Sequence, residues 1–264
     1  MRVLDLGCGW AKESGAVGVD RSPLSTVDVM CDLADFPYPF AAHSFDKIIL
    51  NDVIEHLPDT VKAMEEIYRL CAPGAKVLIR VINWNSQYNA MDPTHVRTFH
   101  EKTFHFFGTY KDRAYYSNAD FEVVKVDKIY NERAKKLFFN NTNWLERASH
   151  YLNNVLEDLH FELKANKPQV SDVDTSGNLD SILRCPHCVS GRTKKPGVDP
   201  GKLVKLNASW LMCTEAGCNR KFPLYEGLPQ FFRDLAEEFR PLETNALKVP
   251  AAPSDFARIN RPPV

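Results

Sequence analysis

The sequence predicts an α/β fold with a parallel sheet, followed by a small β-rich domain built around a metal ion. Two observations lead to this prediction. Short apolar runs alternate with longer helical or loop stretches from residue 1 to about residue 131, which is typical of strands joined by crossovers. Farther along the chain, four of the seven cysteines fall into two close pairs, an arrangement that suits a metal site.

The predicted sheet has six strands and one clear crossover helix. Val61, Met64 and Ile67 recur at helical spacing before an Ala-Pro-Gly sequence, which predicts a helix over residues 60–70. A second amphipathic helix, lying outside the sheet alternation, is predicted over residues 142–164. The six predicted strands are Val3 to Leu6, Ala16 to Val19, Val27 to Cys31, Lys47 to Leu50, Lys76 to Ile82 and Phe121 to Val126.

Composition suggests one large unit and one small one. With 264 residues and 44% hydrophobic content, the chain can build one sizeable core plus a satellite domain. Polar, breaker-rich residues near 165–180 and prolines beyond residue 240 mark a linker and a tail. We therefore predict a sheet domain at 1–131, a helical segment and linker at 132–180, a cysteine-containing domain at 181–235 and a disordered tail at 236–264.

Charge and hydropathy exclude several classes of partner. The net charge is −1, from 33 basic and 34 acidic residues, so no overall field draws the protein to nucleic acid or to an anionic membrane. No apolar run approaches the roughly 18 residues of a spanning helix, and no signal peptide is apparent. We expect a cytoplasmic protein without a membrane partner, and the oligomeric state is left open.

A glycine turn follows the first predicted strand and indicates a cofactor site. Glycines at Gly7 and Gly9 allow a sharp bend and a close approach of the backbone to a ligand. The third glycine of a dinucleotide fingerprint would fall at Lys12. Because a pyrophosphate needs that third glycine and an adenosyl cofactor without phosphates does not, the sequence favours S-adenosylmethionine.

Polar residues end three further predicted strands at the sheet edge where open α/β sheets bind ligands. Asp20 ends the second strand, where its carboxylate can accept both hydroxyls of a ribose. Asp32, followed by Leu33, ends the third predicted strand and is placed to receive an adenine amino group. Asn51 follows the fourth predicted strand. The sequence therefore predicts a cofactor site along this edge.

These residues carry a family resemblance. Asp-Leu-Gly-Cys-Gly at 5–9, Gly-Val-Asp at 18–20, Ser-Phe-Asp at 44–46, Glu-His-Leu at 55–57 and Ala-Pro-Gly at 72–74 resemble class I methyltransferases of the small-molecule type. The resemblance implies a Rossmann-like sheet with helices on both faces, and S-adenosylmethionine as cofactor. It also implies where the cofactor binds: the backbone of residues 7–9 surrounds its methionine part, and Asp20 binds its ribose. Asp32 lies near its adenine, and Asn51 lies near the amino-acid end of its methionine part. The predicted cofactor-binding residues are Asp5, Gly7, Cys8, Gly9, Asp20, Asp32, Leu33 and Asn51.

The first crossover departs from the family pattern, because only about ten residues separate Gly9 from Asp20. The first helix is therefore expected to be reduced to a short turn.

Methyl transfer from a sulfonium is an in-line displacement that needs a general base when the nucleophile starts as a neutral hydroxyl. His95 follows an Asp-Pro turn, and an unperturbed histidine pKa of about 6.5 suits general-base catalysis near neutral pH. It is the predicted catalytic base, with a purely structural role in its loop as the alternative. His56 is interpreted as a packed helix histidine, and Trp84 and Tyr88 as an aromatic wall for the acceptor.

The two cysteine pairs predict a structural zinc site. Cys185 with Cys188 and Cys213 with Cys218 are separated by about 24 residues, which suits tetrahedral coordination by four thiolates. With four protein ligands, zinc has no open position for catalysis. His187, between the first two cysteines, is interpreted as a bystander.

The segment around these cysteines also resembles the zinc-ribbon family of small methyltransferase-activator subunits. The resemblance rests on Leu-Arg-Cys-Pro-His-Cys at 183–188, Trp-Leu-Met-Cys at 210–213 and Phe-Pro-Leu-Tyr-Glu-Gly-Leu-Pro at 222–229. It implies a ribbon that stabilises a methyltransferase, here in the same chain and at high effective concentration.

Three functions are open from the sequence. The leading one is an S-adenosylmethionine-dependent methyltransferase acting on an oxygen or nitrogen of a small molecule or glycan. The second is an enzyme that modifies tRNA or a protein of translation, and the third is a non-catalytic zinc-ribbon scaffold. The second rests on the ribbon and on its basic residues Arg184, Arg192, Lys194, Lys195, Lys202, Lys205, Arg220 and Lys221.

Overall fold

The computed structural model describes residues 1–108, 116–168, 178–189 and 200–232. These residues form two compact units. The first contains residues 1–45 together with 178–189 and 200–232, and the second contains residues 46–108 and 116–168. The predicted tail at 236–264 and the central part of the predicted linker lie outside the described residues.

The first unit begins with three parallel strands, β1 (Val3–Leu6), β2 (Val17–Asp20) and β3 (Val29–Met30), in the order β3-β2-β1. Leu4 pairs with Val17, and Val19 pairs with Val29. The last three residues of β1 are buried, as expected for a strand covered on both faces. Only turns and bends join β1 to β2, so the expected loss of the first helix is confirmed.

The second unit contains four strands in the order β4-β5-β7-β6 and a crossover helix between β4 and β5. The helix α1 (Thr60–Leu70) lies at the predicted residues, and Asp59 caps it by accepting a hydrogen bond from the Lys62 amide at 3.0 Å. β7 is antiparallel to both of its neighbours. The four strands are β4 (Phe45–Asn51), β5 (Cys71–Ile82), β6 (Phe121–Tyr130) and β7 (Leu156–Ala165).

The second predicted helix, over 142–164, is correct only in its first third. The chain forms a helix at Thr142–Ser149 and then enters strand β7. Leu159, Phe161 and Leu163 are buried and alternate with more exposed neighbours, which is a period of two. The residues from 156 to 165 therefore belong to the sheet, not to a helix outside it.

The remaining helices in the described part of the second unit are short. Two are 3-10 helices, Ile54–His56 and Thr103–Phe107, and three are α-helices, α2 (Gln87–Met91), α3 (Glu132–Leu137) and α4 (Thr142–Ser149). Within the described part of the chain, none of the helices has the length and apolar character needed to span a bilayer.

The first unit also contains a second sheet, in what we call the four-strand segment, residues 178–189 and 200–232. Its strands are antiparallel in the order β11-β10-β9-β8. Trp210 and Phe222 are almost fully buried in it, and the Phe222 ring lies 4.9 Å from that of Phe231. Its elements are α5 (Leu179–Ile182), α6 (Pro186–Val189), β8 (Leu203–Asn207), β9 (Trp210–Cys213), β10 (Lys221–Tyr225) and β11 (Leu228–Pro229).

The end of the four-strand segment pairs with the edge of β3. Met30 forms a parallel bridge with Gln230, and the Phe231 amide donates to the Met30 carbonyl at 2.9 Å. Leu228 and Phe232 pack against the apolar cluster of Cys8, Leu24, Val27 and Met30. This cluster includes a residue of the glycine turn.

A second set of backbone bonds holds the beginning of the same segment. The Arg184 amide donates to the Pro39 carbonyl, and the Ala41 amide donates to the Ile182 carbonyl, both at 2.8 Å. The four-strand segment is thus hydrogen-bonded to residues 1–45 at both of its ends.

Candidate cofactor and catalytic residues

The glycine turn after β1 is held by the end of β2. Gly7 and Gly9 have φ angles of 67° and 49°, in the left-handed region that favours glycine. The amides of Gly7 and Cys8 donate to the Val19 carbonyl at 2.8 and 3.1 Å. The Gly9 amide donates to Asp20 Oδ2 at 3.1 Å. The turn and the predicted ribose ligand therefore form one hydrogen-bonded arrangement.

Asp20 lies half-buried at the carboxyl end of β2. Besides Gly9, it accepts a hydrogen bond from the Ser22 amide, at 2.9 Å on Oδ1. An ionised carboxylate has about four acceptor positions, so these two bonds leave capacity for two hydroxyl groups. The arrangement fits the prediction that Asp20 binds ribose.

Asp5 and Cys8 are buried beside the turn. Asp5 is only 2% exposed and accepts a hydrogen bond from the Glu13 amide at 2.8 Å, which braces the loop between β1 and β2. Burial, followed by the charge of Asp20, raises the pKa of the Cys8 thiol to about 12, so this group stays protonated. A direct contact of either side chain with a cofactor stays a prediction.

Asp32 and Leu33 lie beyond the third strand rather than at its end. β3 ends at Met30, so the predicted strand over Val27 to Cys31 is too long. Asp32 is half-buried and accepts a hydrogen bond from the Ala34 amide at 2.9 Å, while Leu33 is buried. Their role at adenine stays a prediction.

In the second unit, Asn51 is exposed at the carboxyl end of β4. The next residue, Asp52, has a positive φ of 55° and forms a two-pronged ion pair with Arg80, with Nε 2.9 Å from Oδ1. The hydrogen bond with Asp52 raises the pKa of the Arg80 guanidinium further. The predicted contact of Asn51 with the amino-acid end of a cofactor stays a prediction.

His95, the predicted base, belongs to a group of three side chains in the second unit. Its ring lies 4.8 Å from the ring of His56, and its Nε2 lies 3.8 Å from Asp92 Oδ2. His95 Nδ1 lies 3.3 Å from the Asn89 carbonyl oxygen. These three side chains line a cavity of about 500 Å³ together with Tyr88.

Glu55, next to His56, is the most unusual carboxylate of this region. Its side chain is 1% exposed, and neither of its oxygens has a hydrogen-bond partner within the described part of the chain. Burial raises its pKa above the ordinary value. Its backbone carbonyl accepts hydrogen bonds from Val96 and Arg97, at 3.0 and 3.1 Å, and so holds the loop that carries His95.

Sequence reasoning missed part of this group. His56 ends a 3-10 helix and also lines the cavity, a position that its interpretation as a packed helix histidine did not anticipate. Of the two predicted wall aromatics, Tyr88 lines this cavity, whereas Trp84 lines a different pocket with His100. The Glu-His pair after the fourth strand was visible in the sequence, but its proximity to His95 depends on tertiary structure.

The four cysteines of the four-strand segment are brought together. Cys185 Sγ lies 3.8 Å from Cys218 Sγ, and Cys188 Sγ lies 3.7 Å from Cys213 Sγ. All four sulfur atoms lie within 4.8 Å of one another, whereas the exposed His187 is not a member of the group.

Within this group the surroundings favour a thiolate at Cys213 and a protonated thiol at Cys188. A hydrogen bond from the Cys185 thiol lowers the pKa of Cys213 to about 6, whereas burial and the neighbouring sulfurs raise the pKa of Cys188 to about 12. Arg220 Nη1 donates to Cys218 Sγ at 3.5 Å. Four converging thiols of this kind fit a tetrahedral zinc ion.

Comparison with known proteins gives a family match in the N-terminal part of the chain. Residues 1–126 match the family described as a methyltransferase domain. The match covers slightly less than half of the chain. Strands β1 to β5 and the glycine turn all lie within the matched residues.

The individual relatives are similar over short segments only. The chain is 41% identical over 56 residues to methyltransferase str2 of Strobilurus tenacellus, covering 21% of this chain and 20% of the relative. It is 48% identical over 42 residues to phosphoethanolamine N-methyltransferase 2 of Caenorhabditis elegans, covering 16% of this chain and 10% of the relative. A solved Haemonchus contortus phosphoethanolamine N-methyltransferase 2 in complex with S-adenosyl-L-methionine has a TM-score of 0.41 and 20% identity, covering 63% of this chain and 49% of that one.

Proposed function

We propose that this protein is an S-adenosylmethionine-dependent methyltransferase that acts on an oxygen or nitrogen of a small molecule or glycan. The observation that carries the proposal is the arrangement of Asp20 and Gly9 at the end of β2. It places a half-buried carboxylate with spare acceptor capacity beside a glycine turn, inside the residues that match a methyltransferase domain. A neutral adenosyl group with two ribose hydroxyls is a ligand for such a carboxylate.

When bound, the cofactor supplies a methyl group on a sulfonium, and the electron pair of the broken S–CH₃ bond goes to sulfur as the new O–CH₃ or N–CH₃ bond forms. The first unit binds and orients this cofactor, with the turn at Gly7 to Gly9 around its methionine part. Asp20 would hold the ribose, and Asp32 with Leu33 would lie near adenine. Most of the rate enhancement then comes from orientation, as in other in-line displacements.

His95 is the proposed general base. Its Nδ1 faces the Asn89 carbonyl oxygen, which can only accept a hydrogen bond, so the ring proton belongs on Nδ1. This tautomer leaves the Nε2 lone pair to take the proton of a neutral hydroxyl. The cavity of about 500 Å³ beside it has the size of a small-molecule site.

The four-strand segment is proposed to be a zinc ribbon that stabilises the enzyme within one chain. Cys185, Cys188, Cys213 and Cys218 would hold the zinc ion, and the closed four-thiolate site makes its role structural. The ordered segment pairs with β3 at Met30, and its Leu228 and Phe232 pack against Cys8 of the glycine turn. Zinc-dependent folding would thereby support the cofactor-binding residues.

The structure does not favour the tRNA alternative. Three of the basic residues that suggested it, Arg184, Arg220 and Lys221, are each only 4% exposed. Lys205 is paired with Asp180 at 2.8 Å. Because phosphate contacts require accessible cations, the three buried side chains do not contribute to a nucleic-acid surface. Lys205 is exposed, and Arg192, Lys194 and Lys195 lie outside the described residues.

The test is calorimetric titration of S-adenosylmethionine into the zinc-loaded full chain and its Asp20→Asn variant. Asn preserves the shape of the side chain but removes the charge and half of the acceptor capacity. Loss of two charge-assisted hydrogen bonds, each about 1.5–3 kcal/mol, predicts binding weaker by at least about 100-fold.

The matched control is Asp127→Asn, which removes a half-exposed carboxylate that pairs with Lys125 at 2.7 Å. This variant should bind the cofactor like the wild type. Folded, zinc-loaded wild type that does not bind S-adenosylmethionine would refute the proposal and favour the non-catalytic scaffold.

A further inference from the structure

We propose that His56, Asp92 and His95 form a binding site for a divalent transition-metal cation. One ligand atom from each residue lies within 4.8 Å of the other two. Two imidazoles and one carboxylate are a donor set that suits Mn²⁺, Fe²⁺ or Co²⁺. Metal binding is inferred from the geometry of these three residues alone. A catalytic role for the bound metal also rests on the proposed methyltransferase function.

Thr94 orients two of the three ligands. Its amide and its hydroxyl both donate to Asp92 Oδ1, at 2.8 and 2.6 Å, which leaves Oδ2 as the metal-facing oxygen. Because the hydroxyl proton is used on Asp92, the Thr94 oxygen accepts the hydrogen bond from His56 Nδ1 at 3.0 Å. His56 therefore carries its proton on Nδ1 and presents a lone pair on Nε2.

His95 has the same tautomer for a similar reason. Its Nδ1 donates to the Asn89 carbonyl at 3.3 Å, and its Nε2 lies 3.8 Å from Asp92 Oδ2. Histidines that bind metals usually donate the other ring N–H to an oxygen in this way. Both rings are thus fixed with Nε2 as the ligand atom before any ion arrives.

A second, independent observation is the buried carboxylate of Glu55. It directly precedes His56, is 1% exposed, and has no hydrogen-bond partner for either oxygen within the described part of the chain. A buried carboxylate without a partner is costly, and a nearby cation would offset its charge. Asp52, which also lines the cavity, adds to the negative potential, although Arg80 pairs with it.

The proposed site is chemically distinct from the cysteine cluster. Its nitrogen and oxygen donors suit borderline cations, whereas four thiolates select zinc. Three protein ligands leave coordination positions open toward the cavity, where an acceptor hydroxyl can bind and lose its proton more easily. In that state His95 Nε2 would be a ligand rather than the base, and the hydroxyl, made more acidic by the cation, would lose its proton to water.

The experiment is a titration of Mn²⁺ into the zinc-loaded full chain without S-adenosylmethionine, with free Mn²⁺ measured by its EPR signal. Wild type is expected to bind one Mn²⁺ at this site. His56→Gln, Asp92→Asn and His95→Gln are each expected to weaken binding at least tenfold. The matched control His100→Gln, which changes an exposed histidine of the same unit, should bind as the wild type does.

Circular dichroism and thermal melting establish that each variant is folded, and the proposal is judged on those that are. It is overturned if wild type binds no Mn²⁺, or if folded His56→Gln and His95→Gln bind it normally. A protein that binds Mn²⁺ but not S-adenosylmethionine would refute the proposed function and leave the metal site standing. The opposite pattern would refute the metal site alone.

Discussion

Replacing Gly18 with alanine is expected to displace the cofactor-binding turn. A Cβ atom at this position would lie 2.4 Å from Lys12 Cδ and 2.9 Å from both Cys8 Sγ and the Thr26 carbonyl oxygen. The lysine chain can rotate away. Cys8 and Thr26 have less freedom, because Cys8 belongs to the turn and the Thr26 hydroxyl donates to the Gly9 carbonyl at 2.5 Å.

Overpacking of this kind costs about 1–3 kcal/mol of folding stability. Because Cys8 belongs to the glycine turn, its displacement would also distort that turn. We expect Gly18→Ala to bind S-adenosylmethionine at least about tenfold more weakly, which corresponds to about 1.4 kcal/mol. The control is Gly15→Ala, where φ is +74° and no atom lies within 4 Å of the added Cβ. That variant should lose about 1–2 kcal/mol of stability through backbone strain but keep its cofactor affinity.

Urea unfolding and calorimetric titration measure the two quantities separately. A Gly18→Ala protein that binds S-adenosylmethionine as tightly as wild type would refute the reasoning, since its turn would then tolerate the added methyl group. Equal losses of affinity in both variants would refute it as well, because only Gly18 is crowded.

Two further predictions concern the metal-binding segment and the buried acid. Cys213→Ser should prevent the four cysteines from coordinating a zinc ion together. Backbone hydrogen exchange should then become faster at residues 200–232 and at Met30, which pairs with them. Unchanged protection of these amides from exchange would contradict a structural zinc ion. In chelator-treated protein, Glu55→Gln should raise the free energy of unfolding at pH 7–8 and change it little near pH 4. Burial raises the folded-state pKa of Glu55 above 4.5, so wild type loses stability as the pH rises above that value. Parallel pH profiles of the two proteins would contradict this assignment.

The features that sequence predicted correctly are local ones. The run Val3–Leu6 followed by the glycine turn, the helix at Thr60–Leu70 and the cysteine pairs each depend on neighbours within a few residues. The match to a methyltransferase domain over residues 1–126 supports the resemblance drawn from the same motifs. Local patterns therefore sufficed for the first strands, the crossover helix and the glycine turn.

The features it missed depend on contacts between distant segments. Val155, Leu156 and Leu159 fit helical spacing, but pairing with β5 and β6 converts residues 156–165 to a strand. His56 and His95 are far apart in the chain, and the hydrogen bonds from Val96 and Arg97 to the Glu55 carbonyl bring their loops together. No periodicity within either segment encodes such a contact.

The pairing of Met30 with Gln230 and Phe231 has a consequence for how the protein is made. About 200 residues separate the two partners, and a ribosome adding about 5–20 residues per second needs roughly 10–40 seconds to cover that distance. During this interval the outer edge of β3 has emerged while its partner strand has not yet been synthesised. An unpaired strand edge is a template for pairing with other chains. The nascent polypeptide therefore passes through a period in which this strand edge is open to pairing with other chains.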